Sequence, residues 1–306
     1  MKCRVCRGPA VIDLPRHNAN FCGEHLVEFC HRQVEKAIAH HDMFEPGDRL
    51  LLAVSGGKDS LALWAMLREL GYDVDGLYVG LGIGDYSDTS GRHAREFAQQ
   101  RGLVLREVDL RDSYGYDIAT AAEQTSRKPC SACGLSKRHV FDSEAVAGGY
   151  DALVTGHNLD DEAAVLFGNM MRWNVDYLGR QSPVLEAHGG RPRKVKPLVR
   201  LSERETAAYC LVAGIDYVVQ ECPMAEGNRH LSYKATLNDL EVESPGIKAN
   251  FYLSFLARGL PLFEPAAHTE RAALARCSTC GAASPSSTCA FCRLVERLQQ
   301  TPEETP

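Results

Sequence analysis

Ser55-Gly-Gly-Lys-Asp-Ser60 follows the apolar run Leu50-Leu-Leu-Ala-Val54 and precedes the periodic stretch Leu61-Ala-Leu-Trp-Ala-Met-Leu67. An apolar run that breaks on glycines and restarts with helical spacing reads as a buried strand, a tight turn and a helix start. Gly56 and Gly57 let the backbone turn and bring bare N–H groups toward an anion. Lys58 adds positive charge, and Asp59 or Ser60 can cap the helix. The stretch is a phosphate cradle. It lacks the G-x-x-x-x-G-K-[ST] order of a Walker A loop, because Lys58 is followed by Asp59 rather than by a hydroxyl residue.

The next reactive group is Lys128-Pro-Cys-Ser-Ala-Cys-Gly-Leu-Ser-Lys137, in which Cys130 and Cys133 stand just before or within the start of a helix. With Cys133 in the first helical turn, Lys137 lies one turn on and on the same face. A helix N-terminus favours thiolates over thiols. Cys222, in Gln220-Glu-Cys-Pro-Met224, is the third member, expected at the end of the last strand and near the same sheet edge. Three cysteines are one short for a closed zinc site. They suit an iron–sulfur cluster with one open iron, a redox pair with a spare, or a zinc completed by His139 or His157.

Thr155-Gly-His-Asn-Leu-Asp-Asp-Glu162 closes another strand and opens a helix whose first turn is acidic. The helix dipole favours carboxylates there, and adjacent aspartates facing a nucleotide crevice can also hold magnesium or activate a nucleophile. Downstream, Arg191-Pro-Arg-Lys-Val-Lys-Pro-Leu-Val-Arg200 is the strongest basic run in a chain of net charge −6. Arg191, Arg193, Lys194 and Lys196 are its candidates for phosphate-backbone contacts, with Arg229, Lys234 and Lys248 as weaker ones.

Both ends carry metal-type spacing. Cys3-x2-Cys6 with Cys22-x2-His25, and Cys277-x2-Cys280 with Cys289-x2-Cys292, each offer four N/S ligands for tetrahedral zinc. Neither short stretch has enough apolar residues to fold around, so metal must stabilise it. Cys30 and Cys210 read as packing residues, and His31, His40 and His41 as exposed polar positions rather than ligands.

These groups need elements to position them. Strands are expected at 50–54, 73–81, 103–110, 152–157 and 217–220, with a polar helix at 90–101 between the second and third. Such alternation implies an α/β fold with a doubly wound parallel sheet, whose ligands sit beyond the carboxyl ends of the strands. Ser55, the loop after Leu81, and His157 then surround one crevice. The chain divides into an N-terminal zinc module (1–28), a catalytic domain (29–225), a helical extension and linker (226–268, the linker at 259–269), and a C-terminal zinc module with a disordered tail (269–306).

Composition bounds the rest. At 306 residues and 44% hydrophobic content the chain can bury a large core. No apolar run approaches a membrane span, and MKCRVCRGPA has no signal-peptide core, so a cytoplasmic protein is expected. Twelve cysteines there point to metal or redox chemistry rather than disulfides. The acidic net charge excludes indiscriminate nucleic-acid binding and demands a local basic surface for any polyanion.

SGGKDS resembles the PP-loop of ATP pyrophosphatases, which cleave ATP between the α and β phosphates and adenylate their substrates. Taken with PCSACG, GHNLDDE, the later VQECP and the zinc-type pairs at both ends, nearly the whole chain resembles the TtuA branch of the TtcA/TtuA family of tRNA thiolases. That resemblance implies a PP-loop fold flanked by zinc modules, and a reaction in which ATP adenylates O2 of a tRNA uridine and sulfur then displaces AMP. The favoured uridine is 5-methyluridine 54 in the T loop, with the wobble uridine as the alternative. The resemblance also implies Mg2+, ATP binding by Ala53, Ser55, Gly56, Gly57, Lys58, Asp59, Ser60, Gly156 and Asp161, and catalysis by Lys137 and Asp161. Cys130, Cys133 and Cys222 would hold a [4Fe–4S] cluster with one free iron. The expected partners are tRNA, a ubiquitin-like thiocarboxylated sulfur carrier and a second copy of the chain.

Three other readings stay open on sequence. An amidoligase or lysidine-type enzyme would use an amine nucleophile, against which the cysteine trio argues. Thiolation could run through a persulfide or disulfide cycle at Cys130 or Cys133. A non-enzymatic RNA-binding protein would leave SGGKDS and the acidic motif idle.

Overall fold

The computed structural model describes residues 1–225, 229–263 and 274–300. The chain opens on a hairpin, β1 (Ile12–Leu14) and β2 (Ala19–Phe21), and enters α1 (Gly23–His40). The domain that follows is β3 (Arg49–Val54), α2 (Lys58–Glu69), β4 (Asp73–Gly80), α3 (Gly84–Arg101) and β5 (Leu105–Asp109). Short helices α4 (Leu110–Tyr114) and α5 (Ile118–Glu123) lead to α6 (Pro129–Ala147), β6 (Ala152–Thr155), α7 (Leu159–Met171) and α8 (Val175–Leu178). Strands β7 (Val184–Leu185) and β8 (Arg193–Val195) precede α9 (Glu203–Val212), α10 (Arg229–Glu243) and α11 (Ile247–Ser254). The last module is β9 (Ala275–Arg276), β10 (Ala283–Ser284) and α12 (Ala290–Gln300).

The main sheet has the order β5-β4-β3-β6-β8-β7, parallel except for β7 at the edge. Its central strand shows why: Leu50, Leu51, Leu52 and Val54 are all buried, the pattern of a strand covered on both faces. The chain winds from β3 outward through β4 to β5 and then returns to β6 on the other side of β3. That reversal is the switch point at which doubly wound sheets open a crevice. Trp64 of α2 lies so close under β4 that a Cβ on Gly76 would stand 2.4 Å from its ring.

The structure departs from expectation in places. Residues 217–220 form no sheet strand; the position beside β6 is taken by β8, from within the basic run, whose buried Val195 pairs with Val154. Residues 217–220 instead cross the mouth of the crevice, where Val218 N–H donates to Gly56 O at 3.0 Å. The polar helix begins at Gly84 rather than at residue 90. Residues 259–263, expected as linker, stay helical, while 264–269 and the expected tail at 301–306 lie outside the described residues.

The N-terminal module is fastened to the domain. Helix α1 runs unbroken through residues 28 and 29, and Phe21 stacks on Phe29 at 5.1 Å. Arg16 and His17 converge on buried Glu205 of α9, the first contact from Arg16 Nε at 2.9 Å. Burial opposes ionisation of Glu205, but His17, Arg16 and the Ser202 N–H overcome it and hold the carboxyl down to about 2. The C-terminal module packs on α6, with Phe291 stacked on His139 at 3.8 Å and edge-on to Tyr114 at 4.9 Å.

Candidate active site

The phosphate loop leaves β3 at the switch point. Gly56 has φ +73°, and a Cβ there would stand 2.1 Å from Ser90 O, so the turn requires glycine on both counts. The cap of α2 is Gly57 rather than Asp59 or Ser60. Ser60 reaches back instead: its Oγ accepts from Ser55 N–H at 3.1 Å and donates to Gly57 O at 3.0 Å, bracing the loop. Gly156, at the end of β6, passes so close that a Cβ would meet Ser60 N at 3.0 Å. Ala53 lies in β3 directly before the loop.

Asp59 is a hub. Its Oδ2 accepts from Lys58 Nζ at 2.9 Å, and its Oδ1 from Asn158 Nδ2 at 3.1 Å and Thr206 Oγ1 at 2.5 Å. Burial lowers the basicity of Lys58, yet Asp59 and Glu203 outweigh it and leave the ammonium more basic than usual. Lys58 is a fixed positive charge beside the loop.

The acidic turn of α7 sorts into three different roles. Asp160 is buried and paired with Lys248, and it accepts Glu203 N–H at 2.9 Å. Glu162 is buried between Lys196 at 2.8 Å, Gln181 at 3.1 Å and Tyr252 at 3.3 Å. Asp161 is the one tied to the phosphate-loop network, through Asn158 to Asp59 and through Lys234 to Glu203. It forms a capping box with Asn158 and pairs with Lys234 of α10 at 2.6 Å. Burial pushes its carboxyl up, but Lys234 and His157 outweigh that and hold it below the usual range. Of the two adjacent aspartates expected at the nucleotide, Asp160 is taken by Lys248 and Asp161 remains the candidate. Lys234, ranked low on sequence, bridges Asp161 to Glu203 at 2.6 Å.

The cysteine trio converges from two elements. Pro129 starts α6, so Cys130 sits in its first turn and Cys133 one residue beyond that turn, with Lys137 four residues on. Cys130 Sγ lies 3.4 Å from Met224 O, which brings the Cys222 loop onto the helix start. The expected thiolate at Cys133 is not favoured: burial raises its thiol, Lys137 lowers it, and the Cys222 and Cys130 sulfurs raise it again, leaving it above the usual range. Neither His139, which stacks on Phe291, nor His157, which bonds Thr155 Oγ1 at 2.9 Å, forms a compact ligand group with the trio among the described residues.

The terminal quartets differ in kind. Four tetrahedral ligands at about 2.3 Å from an ion stand about 3.8 Å apart. Cys6 and Cys22 sulfurs are 3.8 Å apart, and so are those of Cys280 and Cys289. In each quartet, Cys3, Cys6, Cys22 and His25 or Cys277, Cys280, Cys289 and Cys292, the ligand atoms all lie within 4.8 Å. Backbone N–H groups support the sulfurs, Cys289 N to Cys277 Sγ at 3.2 Å among them. The donor sets fit a tetrahedral ion. Among the described residues no other group of this compactness occurs, and the trio is more open.

The basic run is largely consumed inside the fold. Lys194 pairs with Asp142 at 2.5 Å, Lys196 with Glu162, and Arg193 with Glu186 at 3.1 Å. Arg191 is exposed, on the rim of a cavity of about 650 Å³ between α6 and the C-terminal module that Arg138 and Arg276 also line. Thr206, Glu203 and Asn158 were not singled out on sequence. Thr206 and Glu203 lie in α9 with no local signal of a site, while Asn158 lies inside the GHNLDDE motif.

Comparison with known proteins identifies the family of this fold. Residues 2–27 match the 2-thiouridine synthetase TtuA N-terminal LIM domain, and residues 27–233 match the PP-loop domain. The chain is 45% identical to the tRNA-5-methyluridine(54) 2-sulfurtransferase of Thermus thermophilus, over 96% of this chain and 91% of that one. It is 39% identical to the Thermotoga maritima protein of the same name over the full length of both. The U34-tRNA thiolase NcsA from Methanococcus maripaludis, solved with its [4Fe–4S] cluster, superposes with a TM-score of 0.76 at 25% identity, covering 85% of this chain and 88% of its own. A PP-loop domain, a TtuA-type N-terminal module and full-length relatives of one name place the chain in the TtuA branch of the TtcA/TtuA family of tRNA 2-sulfurtransferases.

Proposed function

We propose that the chain uses ATP to activate O2 of 5-methyluridine 54 in tRNA and replaces that oxygen with sulfur. The observation that carries this reading is a single strap. Val218 N–H is bonded to Gly56 O in the phosphate loop, and four residues later Cys222 joins Cys130 and Cys133. Four residues span at most about 14 Å, so adenylation and sulfur delivery share one crevice.

In the first step O2 attacks the α phosphate and pyrophosphate leaves. Ser55, Gly56, Gly57, Lys58 and Ser60, with Ala53 and Gly156 forming the wall, cradle the phosphates, and Lys58 meets the charge on the departing group. Asp59 orients Lys58. Asp161, held ionised by Lys234, orients the nucleotide or base, and Lys137 offsets charge near the cysteines. In the second step a sulfur nucleophile adds at C2, and AMP leaves with the former O2. Cys130, Cys133 and Cys222 would hold a [4Fe–4S] cluster, which supplies a metal position not taken by the protein at which sulfur can bind. Magnesium is proposed to enter on the ATP phosphates, because the oxygens of Asp59 and Asp161 already have protein partners. The terminal quartets hold zinc. A ubiquitin-like thiocarboxylate as sulfur source, a homodimer, cytoplasmic residence and phosphate contact by Arg191, the other three cations of its run being paired with Glu186, Asp142 and Glu162, complete the reading, as does a catalytic domain at 29–225 between zinc modules at 1–28 and 269–306, with a helical extension and linker at 226–268.

Anaerobic incubation with ATP, sulfide and tRNA, followed by nucleoside mass spectrometry, tests it. The 2-thio form of 5-methyluridine and AMP are the expected products; ADP in place of AMP would refute the adenylation. The likeness to a U34 thiolase supports a second reading, the same chemistry at the wobble uridine, and mapping the thiolated position separates the two.

A further inference from the structure

Helix α7 ends in an unusual way. Trp173 N–H donates to Met170 O at 3.0 Å and Asn174 N–H to Asn169 O at 3.0 Å, the paired bonds of a Schellman motif with Arg172 as C-cap. The residue after the cap must turn left-handed, and glycine is the usual choice. Here it is Trp173, at φ +51°, with its side chain 72% exposed. A bulky aromatic in that conformation is strained and, being mostly exposed, gains little packing in return.

Trp173 has company. Tyr177 is also mostly exposed, Arg180 lies over its ring at 5.3 Å, and Arg172 flanks Trp173 while donating to Tyr233 OH at 3.3 Å. Asp176 is the only acid in the segment from Met171 to Arg180. Exposed aromatic rings interleaved with arginines, on a protein of net charge −6, match the chemistry of unpaired nucleotides, whose bases stack and whose phosphates pair with guanidinium groups. Trp173 lies twelve residues along α7 from Asp161, about 18 Å at 1.5 Å per residue. That is too far for the reacting base and within reach of its neighbours in the same RNA loop.

We propose that Trp173, with Tyr177, Arg172 and Arg180, forms a stacking platform for unpaired tRNA nucleotides flanking the one that reacts. This rests on the reading of tRNA as the substrate. The chain has two tryptophans, and Trp64 is fully buried, so changes in emission on adding RNA report Trp173. Titrating the full chain with unmodified tRNA should quench that emission. Trp173→Gly should abolish the quenching and weaken tRNA binding about tenfold, with a melting temperature equal or higher because the left-handed strain is relieved. Trp173→Phe should recover much of the affinity. Because tRNA carries the attacking O2, AMP formation at limiting tRNA should fall in step with affinity in Trp173→Gly and recover in Trp173→Phe. Unchanged tRNA affinity in Trp173→Gly would overturn the platform, as would a loss of dimers on substitution with tRNA affinity intact, which would assign the surface to a second copy. Wild-type protein that binds and thiolates tRNA without quenching would overturn the platform alone; failure of the wild type to bind tRNA at all would overturn the proposed substrate with it.

Discussion

The two terminal ligand quartets, one of them completed by His25, and the central trio use the cysteine thiol for opposite ends. The quartets are closed: sulfurs stand one tetrahedral edge apart, backbone N–H groups point at them, and three of the four cysteines in the C-terminal set are buried. The trio is open. Cys130 is exposed, no fourth ligand forms a compact group with the trio among the described residues, and the third member arrives on a strap rather than from a paired turn. A closed set consumes all the binding capacity of its ion and so can only hold structure. An open set leaves capacity for a reactant.

The contrast breaks first under chelation. Stripping the terminal ions should unfold both end modules, because zinc supplies on the order of 10 kcal/mol to such small units. Hydrogen exchange should then show loss of protection at β1, β2, β9 and β10, while β3, β4 and β6 stay protected. Uniform loss across the chain would mean that the modules are integral to the core rather than fastened to it.

Substitutions in the two classes should separate activity from stability. Cys222→Ala is expected to lower thiolation at least a hundredfold and to move the melting temperature little, since the side chain is only partly buried in a loop. Cys292→Ala, in contrast, should lower stability and reduce activity only as far as the module unfolds. Anaerobic metal analysis of each variant checks the assignment: loss of iron in the first and of zinc in the second. Full thiolation by Cys222→Ala protein without bound iron would favour a persulfide route.

A third contrast lies in how the modules are fastened, by aromatic stacking at Phe291 and by charge at Glu205. Glu205 has its carboxyl lowered from 4.5 to about 2. It therefore contributes about 3 kcal/mol that is complete above pH about 4.5 and is lost as pH falls toward 2. Glu205→Gln should remove this dependence, leaving Arg16 without its partner and the N-terminal module loosened at neutral pH. Acid titration of module protection in the two proteins measures it; identical profiles would mean that other carboxylates govern the dock.

How much of this was legible in the sequence follows the range of the interactions. The phosphate loop, the quartets and the acidic turn are local, so spacing alone located them. Residues 217–220 misled because a short apolar run has the same signature whether it pairs with a strand or crosses a crevice, and only β8 occupying the place beside β6 decides. Lys234 and Thr206 could not be found locally. Their partners Asp161 and Asp59 are 73 and 147 positions away, and nothing in their own helices marks them. Asp160 and Asp161 are adjacent in sequence and a hundred degrees apart on α7, which sends one to Lys248 and the other to Lys234.

The smallest expected effect concerns the basic run, where composition and structure diverge most. Five cations in ten residues read as one surface, but Lys196 neutralises buried Glu162, Lys194 holds Asp142, and Arg193 is tied to Glu186. Each such pair has already exchanged its counterions for a carboxylate and has none to release to RNA. Arg191 is exposed beside the cavity. Arg191→Ala should therefore flatten the dependence of tRNA affinity on salt by about one unit of slope or less, with stability unchanged. Lys196→Met should do the reverse, leaving the slope in place while costing about 3 kcal/mol of stability through the unpaired Glu162. Salt titrations of tRNA binding at fixed temperature distinguish them. Equal flattening by both variants would mean that the Lys196–Glu162 pair opens on binding and that the whole run meets phosphate.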